Sequence, residues 1–288
     1  MRILSVGEII IDVYPEGREI GGAALNFAAH AARCGAESML LSAVGHDEDG
    51  DAALAALLRF GVRCEMISRV PHPTGRCMET LDAAGVPTHR VLPDAAYDYL
   101  TLSEREVCNL AEWGADALYF GTLIQRAGSR RPVRQLAEEL SFREIFCDVN
   151  LRDGCYDADS VLYCLQKATI LKLSAEEEPQ LRAFGYYAPA GETDAGVARG
   201  LAAAFPNLKI ILLTKGKDGA FALDCVSGQE YRQAALGSRV VSTTGAGDSF
   251  SAAFLTAYLE GSPIALCLRN AAKVSGEVVA HREAVPMD

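Results

Sequence analysis

The sequence contains no uninterrupted apolar run that approaches the length of a membrane-spanning helix. It has nine cysteines but no Cys-x-x-Cys pair, which argues against a structural zinc site and favours reduced thiols. Basic residues are scarce, with 27 lysines and arginines against 38 aspartates and glutamates. The net charge of −11 argues against nucleic acid or an anionic membrane as the main partner. We therefore expect a soluble, cytoplasmic protein.

Internal repeats, low-complexity tracts and interdomain linkers are also lacking. Half of the 288 residues are hydrophobic, which is enough to build a large core. Short apolar runs alternate with helical patterns along almost the whole chain, and this alternation predicts a mostly parallel sheet with helices on both faces. Residues 63–92 differ, because their strand-like runs have no helical pattern between them. We interpret 1–288 as one α/β domain with a small β excursion.

The most specific pattern is Thr243-Thr-Gly-Ala-Gly-Asp248, which lies between a short β-prone run and a helix. Gly245 and Gly247 allow a ligand to approach the backbone closely, and the first turn of the helix offers unpaired N–H groups to an anion. Asp248 lies in the same turn, so a proton acceptor stands beside a phosphate-binding site. This pairing suits phosphoryl transfer to an alcohol. The alternative is an ordinary turn whose aspartate favours the helix dipole.

This string resembles the C-terminal signature of the ribokinase-like (phosphofructokinase-B-type) carbohydrate kinases, usually Asp-Thr-x-Gly-Ala-Gly-Asp. The resemblance implies a ribokinase-like three-layer α/β/α sandwich, with ATP and Mg²⁺ as cofactors. It also implies that Asp248 is the catalytic base and that the backbone of Gly245, Ala246 and Gly247 forms the anion hole, with Thr244 beside the nucleotide. Ser242 stands where the family commonly has Asp, a position that in some members helps to hold a monovalent cation. Potassium dependence is therefore left open.

Two N-terminal strings resemble the sugar-binding signature of the same family, Gly7-Glu-x-x-x-Asp12 and Gly21-Gly-x-x-x-Asn26. The resemblance implies that Asp12 and Asn26 hydrogen-bond to sugar hydroxyls and that the backbone of Gly22 lies against the ring. Taken singly, Asp12 could be an exposed residue at a strand end, and Asn26 could be a solvent-facing helix residue.

In this family a β excursion forms the lid over the sugar site, and here the lid segments would be about 9–20 and 63–92. Lid closure would exclude water that competes with the sugar hydroxyl for ATP. Such lids often supply a dimer interface, so a homodimer is also expected. Arg90 falls where many hexose and ketodeoxysugar kinases have an arginine that points at the substrate. A solvated surface arginine is the alternative.

Asp148-Val-Asn-Leu-Arg152 follows an apolar run and resembles a string of the fructokinase-like members in particular. Polar residues at the carboxyl end of a parallel strand occupy the usual ligand position in open α/β sheets. The resemblance implies that Arg152 contacts the sugar or the phosphate in transit, although a structural salt bridge would also explain an arginine here. This string is the main reason to expect a keto sugar rather than ribose or a nucleoside.

Three further positions are assigned through the resemblance to the nucleotide and its metal. Glu177 occupies the glutamate position of the family's Asn-x-x-Glu pattern, which organises Mg²⁺, although Ser174 replaces the asparagine. The turn with Thr214, Gly216 and Gly219 resembles the ATP loop, and Asn270 would lie against the adenine. The alternatives are a solvated helix start, an ordinary hairpin and helix packing.

The expected function is ATP-dependent transfer of the γ-phosphate to a sugar hydroxyl, most readily that of fructose. Kinases for 2-keto-3-deoxygluconate, ribose or a nucleoside remain alternatives on the same machinery. A catalytically weak sugar- or nucleotide-binding sensor is an alternative from another class. Its only support is that Ser242 and Ser174 depart from the family pattern.

Overall fold

The computed structural model describes residues 1–15, 17–81, 87–237 and 239–287. In chain order its strands are β1 (Arg2–Val6), β2 (Ile10–Tyr14), β3 (Gly17–Gly21), β4 (Glu37–Val44), β5 (Ile67–Arg69), β6 (Gly75–Leu81), β7 (Pro87–Val91), β8 (Ala117–Gly121), β9 (Glu144–Asp148), β10 (Ile170–Ser174), β11 (Ile210–Thr214), β12 (Ala220–Asp224) and β13 (Glu230–Gln233). Its α-helices are α1 (Ala23–Arg33), α2 (Glu48–Arg59), α3 (Glu104–Trp113), α4 (Arg130–Glu139), α5 (Ala158–Lys167), α6 (Glu178–Ala183), α7 (Asp194–Ala204), α8 (Ala246–Leu259) and α9 (Ile264–Val278).

A nine-stranded sheet forms the centre, in the order β13-β12-β11-β10-β9-β8-β1-β4-β5. Neighbouring strands from β11 to β5 are parallel, whereas β12 and β13 continue the sheet in antiparallel fashion. Successive strand side chains point to opposite faces of a sheet, and β1 shows this clearly. Ile3 packs into a core with Phe27 and Phe254, while Leu4 packs into another with Leu110 and Leu136. The α/β/α sandwich expected from the sequence is confirmed.

A second, four-stranded sheet has the order β3-β2-β6-β7. Its strands lie within the two segments expected to form a lid, although residues 16 and 82–86 of those segments lie outside the described residues. The predicted strand near residue 67 is placed differently from the expectation. It is β5, which pairs with β4 at the edge of the large sheet, where Ile67 packs against the core that contains Phe27. Burial of this isoleucine keeps β5 out of the small sheet.

The parallel strands bring their carboxyl ends to one edge of the large sheet, the usual ligand position in such folds. Asp148 and Ser174 end β9 and β10 there, and β11 ends beside them at Thr214. The small sheet and the first turn of α8 border the same edge, since residues from all of these elements line one cavity. Within the described part of the chain, no helix is long and apolar enough to span a membrane.

Candidate active site

A cavity of about 480 Å³ lies where β9, β10, the small sheet and the first turn of α8 meet. It brings together residues from three distant parts of the chain. The cavity is lined by most of the residues that the sequence assigns to sugar and phosphate, namely Asp12, Gly22, Asn26, Arg152, Thr244, Gly245, Gly247 and Asp248. Ala246 is the first residue of α8 and lies within the same turn.

Arg90 is placed differently from the expectation. In β7 it is exposed and lies opposite Met78 of β6, and it is not among the residues that line the cavity. Its neighbours His89 and Val91 line the cavity instead. Alternate residues of a strand point to opposite faces, so a shift of one position decides which side chain reaches the cavity.

Four of the residues assigned to the nucleotide, Thr214, Gly216, Gly219 and Asn270, are not among those that line the cavity. Thr214 is the neighbour of Ser174 across the β10–β11 pairing, and Gly216 and Gly219 form the turn that follows it. Gly219 has φ near 89°, which favours glycine. Asn270 is exposed on α9. The contacts of these four residues with a nucleotide stay a prediction.

Glu177 holds two loops together. Its Oε1 accepts a hydrogen bond from the Leu151 N–H and its Oε2 accepts one from the Ser174 N–H, both at 2.6 Å. It thereby ties the loop that carries Arg152 to the end of β10. No group of three or more His, Cys, Asp or Glu side chains arranged to hold a metal ion occurs among the described residues. The role of Glu177 at a metal also stays a prediction.

Asp248 is held by a hydrogen bond that crosses from α1 to α8. The Asn26 Nδ2 donates to the Asp248 Oδ2 at 2.8 Å. Burial raises the pKa of the Asp248 carboxyl, while the Asn26 hydrogen bond and the positive charges of Lys172 and Arg152 act in the opposite direction. Asn26 is only 3% exposed, and its Oδ1 has no hydrogen-bond partner within the described structure. Asn26, expected to contact the sugar, therefore also orients Asp248.

The glycine turn is closely packed from behind. Gly245 has φ near 77°, and a Cβ added to it would lie 2.7 Å from the Ala284 carbonyl oxygen. The His30 Nε2, on α1, donates to that same carbonyl at 2.8 Å, and the Arg33 Nη1 donates to the Pro286 carbonyl. The Ser242 Oγ accepts a hydrogen bond from the Thr244 N–H at 3.2 Å. The C-terminal segment and this hydrogen bond thus fix the conformation that presents the amides at the start of α8.

Two charged residues of the cavity were not predicted from the sequence as functional. Lys172 of β10 is 6% exposed, and its Nζ lies 2.6 Å from the Asp148 Oδ2. Glu8 is 5% exposed, and its Oε1 accepts a hydrogen bond from the Ala23 N–H at the start of α1. A lone lysine inside the apolar run of β10 was the available signal for the first. Glu8 belongs to the Gly7-Glu string that was noted for Asp12.

Burial makes the carboxyl groups of the cavity unusually weak acids. It raises the pKa of Glu8 to about 7 and that of Asp12 to about 6. It also raises the pKa of Asp148 to about 6, against the opposing charge of Lys172. Because these three pKa values lie at about 6 to 7, the charge of the cavity changes close to neutral pH.

A sequence profile described as pfkB family carbohydrate kinase matches residues 2–287. The chain belongs to the pfkB family of carbohydrate kinases. It is accordingly a phosphotransferase whose acceptor is an alcohol hydroxyl.

Curated relatives carry several substrate names. The chain is 27% identical to an ATP-dependent 6-phosphofructokinase of Thermoanaerobacterium thermosaccharolyticum, over 90% of this chain and 82% of the relative. It is 28% identical to the fructosamine kinase FrlD of Bacillus subtilis, with 96% and 90% covered. It is 27% identical to a fructokinase of Escherichia coli, with 88% and 83% covered. These names agree on sugar phosphorylation and differ in the acceptor.

A solved structure confirms the fold of this pfkB-family member. A fructokinase of Vibrio cholerae, in a form with fructose, ADP and calcium ion bound, superposes with a TM-score of 0.80 at 19% identity. The alignment covers 100% of this chain and 96% of that one. The ribokinase-like sandwich expected from the sequence is therefore confirmed.

We expect Glu8→Gln to stabilise the protein increasingly as the pH rises from 5 to 8. The folded-state pKa of Glu8, about 7, lies above its ordinary value of 4.5, so folding favours the protonated form. In the wild type this group therefore costs stability as the pH rises through that interval, on the order of 3 kcal/mol at pH 8. Glutamine keeps the Oε1 acceptor for Ala23 and carries no charge.

The measurement is the difference in Tm between Glu8→Gln and the wild type at pH 5, 6, 7 and 8. Glu112→Gln, on an exposed glutamate of α3, is the matched control and should give a small difference that does not grow with pH. A Glu8→Gln difference that is equally independent of pH would contradict the raised pKa.

Proposed function

We propose that this carbohydrate kinase transfers the γ-phosphate of ATP to a primary hydroxyl of fructose or a related keto sugar. The observation that carries the proposal is the position of Asp248, which lies in the first turn of α8 and lines one cavity together with Asp12 and Arg152. The fructokinase relative and the Asp148-Val-Asn-Leu-Arg152 string support a keto sugar.

In the proposed reaction Asp248 accepts the proton of the sugar hydroxyl. The hydroxyl oxygen forms a bond to the γ-phosphorus while the bond from that phosphorus to the β,γ-bridging oxygen breaks, and ADP leaves with the electron pair. The N–H groups from Gly245 to Gly247 stabilise charge on the phosphoryl oxygens. Asp12 and Asn26 hold the sugar in line, and this positioning lowers the entropic part of the barrier.

ATP and a divalent metal are the proposed cofactors. The ADP and calcium ion of the fructokinase structure and the ATP-dependent relative support them. Thr214, Gly216, Gly219, Thr244 and Asn270 would bind the nucleotide. Each oxygen of Glu177 accepts one N–H and keeps a lone pair, so Glu177 suits a metal held through water and the phosphates better than a direct protein cage. When bound, Mg²⁺ neutralises phosphate charge.

The small sheet is the proposed lid. Asp12 and Tyr14 of β2, Cys77 of β6, and His89 and Val91 of β7 all line the cavity, so this sheet covers the sugar side of the site. Exclusion of water by the sheet would favour the sugar hydroxyl over water as the acceptor. The homodimer expected from the sequence would form through the same sheet and belongs to the same proposal.

We expect Asp248→Asn to lower kcat by roughly 10²-fold or more, because the amide cannot accept the hydroxyl proton. The assay is ADP production from Mg-ATP with fructose, ribose, adenosine and 2-keto-3-deoxygluconate as acceptors. Ser249→Ala is the matched control, since its hydroxyl donates to the Ala246 carbonyl within α8. Near wild-type turnover in Asp248→Asn would remove Asp248 from the role of base. Acceptor binding without turnover in the wild type would favour a sensor.

Replacement of Asn26 by alanine should move the acid limb of the kcat/KM profile to higher pH. The Asn26 hydrogen bond lowers the pKa of Asp248, so its loss raises that pKa and protonates the base at a higher pH. Profiles of kcat/KM against pH for both proteins give the shift. An unchanged limb together with a raised KM for the sugar would show that Asn26 acts only as a sugar contact.

A second candidate substrate is a keto sugar that carries an amine, such as a fructosamine. Five carboxylates line the cavity, namely Glu8, Asp12, Asp148, Asp153 and Asp248. Of the basic residues in the described part of the chain, Lys172, Arg152 and His89 line the cavity and oppose them, and Lys172 is engaged by Asp148. Such a balance favours a cationic acceptor over an anionic one. The fructosamine kinase relative supports this candidate, and the same balance weighs against a sugar phosphate or a keto acid.

We expect kcat/KM to follow the charge of the acceptor, with a cationic fructosamine at least equal to neutral fructose. Fructose 6-phosphate and 2-keto-3-deoxygluconate should be poorer by about tenfold or more, since repulsion by one unpaired charge in a partly buried site costs on the order of 1–2 kcal/mol. The four acceptors are compared at one ionic strength. A preference for either anion would contradict the charge argument and would point to the alternatives left open by the sequence.

A further inference from the structure

The inference concerns Lys172, and it rests on the proposed function. The side chain lies in the cavity beneath the first turn of α8 and is 7% exposed. Its Nζ pairs with the Asp148 Oδ2 at 2.6 Å, across the parallel pairing of β9 and β10 that places these two residues side by side. The Ser251 Oγ, on α8, donates to the same oxygen at 3.2 Å.

A purely structural role explains this lysine poorly. A buried ion pair pays a large desolvation cost, and well-packed apolar residues of similar volume often serve stability as well or better. The position is also unfavourable for a cation. A Cβ added to Gly247 would lie 3.1 Å from the Lys172 Nζ, so the ammonium lies against the N-terminal turn of α8, which carries the positive end of the helix dipole. The ammonium and the positive end of the helix dipole thus lie together at one wall of the cavity, where both favour an anionic ligand.

Two further observations indicate that a ligand completes the site. The Asp148 Oδ1 is buried without a hydrogen-bond partner in the described structure, and the Asn26 Oδ1 is in the same condition. Buried polar atoms of this kind are rare, and since both are acceptors, a donor such as a sugar hydroxyl would satisfy them. Burial acts to lower the pKa of Lys172. The carboxylates of Asp148, Glu177 and Asp248 have the larger combined effect, so the pKa of the lysine is raised. The ammonium therefore stays charged throughout the working range of the enzyme.

Lys172 is also better placed than Arg152 to stabilise charge that develops during the reaction. Arg152 is exposed to solvent, whereas Lys172 is fixed in a buried position by its pairing with Asp148. A charge that is fixed before the reaction and shielded from water stabilises a transition state more than one that has to be ordered.

We propose that Lys172 is a catalytic residue whose ammonium contacts an oxygen of the phosphoryl group in transit, beside the amides of Gly245 to Gly247. Asp148 is the positioning residue that orients the ammonium. The bonds made and broken are those of the proposed reaction, and Lys172 keeps its proton throughout. The amides and the ammonium then stabilise charge on the transferred group, and Asp248 accepts the proton of the sugar hydroxyl.

The test compares Lys172→Met, which keeps the length of the side chain without its charge, with the wild type. We expect kcat to fall by about 10²-fold or more, while KM for the acceptor changes by no more than a few-fold. Binding of ADP with aluminium fluoride, which mimics the phosphoryl group in transit, should weaken by a factor similar to the loss of kcat. Binding of ADP alone should be almost unchanged.

Two further variants separate catalysis from stability. Lys209→Met removes a lysine just before β11 that pairs with the buried Glu144 at the opposite end of β9 from Asp148, and it should lower Tm without affecting kcat. The double variant Lys172→Met with Asp148→Asn removes both charges and should recover Tm but not kcat. A Lys172→Met enzyme with kcat within threefold of the wild type overturns the proposal. Recovery of kcat in the double variant, or equal loss of affinity for ADP with and without aluminium fluoride, also overturns it.

The result also distinguishes this inference from the proposed function. A wild-type enzyme that forms no ADP with any acceptor overturns both proposals. A wild-type enzyme that is active, combined with an unaffected Lys172→Met variant, overturns only the role of Lys172.

Discussion

The concentration of negative charge in one cavity is the constraint on which this site depends. Five carboxylates line a space of about 480 Å³, which in the proposed reaction has to admit phosphate groups as well. Burial alone would protonate these acids, and the raised pKa values of Glu8, Asp12 and Asp148 show how strong that tendency is. Three positive groups favour the charged carboxylates, namely the amides at the start of α8, the ammonium of Lys172 and the guanidinium of Arg152. Each of them lies beside the cavity because of where its strand or helix ends.

The packing of α1 against α8 gives this arrangement its rigidity. The two helices are in contact, and Asn26 of α1 reaches Asp248 of α8 with its side-chain amide. On the other side, the pairing of β9 with β10 sets Lys172 beside Asp148. Asp248, the proposed base, and the ammonium of Lys172 are therefore fixed by secondary structure and not by loops, and a site held in this way loses less entropy when its substrates bind.

Short local strings were enough to predict the sandwich and eight of the residues that line the cavity, because each string places its own glycines, carboxylates and amides at a strand end or a helix start. Lys172 was missed because its partner lies on another strand, and only the sheet pairing brings the two together. Arg90 was expected to point at the substrate, but neighbouring residues of β7 point to opposite faces of the sheet, and His89 and Val91 line the cavity instead. The helix α3 was not predicted either, although Ser103 and Glu106 form a capping box at its start.

The packing behind the glycine turn affects how the site can fold during synthesis. Gly245 leaves the ribosome before Ala284, whose backbone packs behind it. His30, which hydrogen-bonds to the Ala284 carbonyl, is synthesised long before both. A nascent chain that does not yet include Ala284 can have its sheet and most of its helices in place, but nothing packs behind Gly245. The strands can therefore form while the chain grows, but the turn that would receive phosphate is completed only when the segment around Ala284 packs between α1 and Gly245.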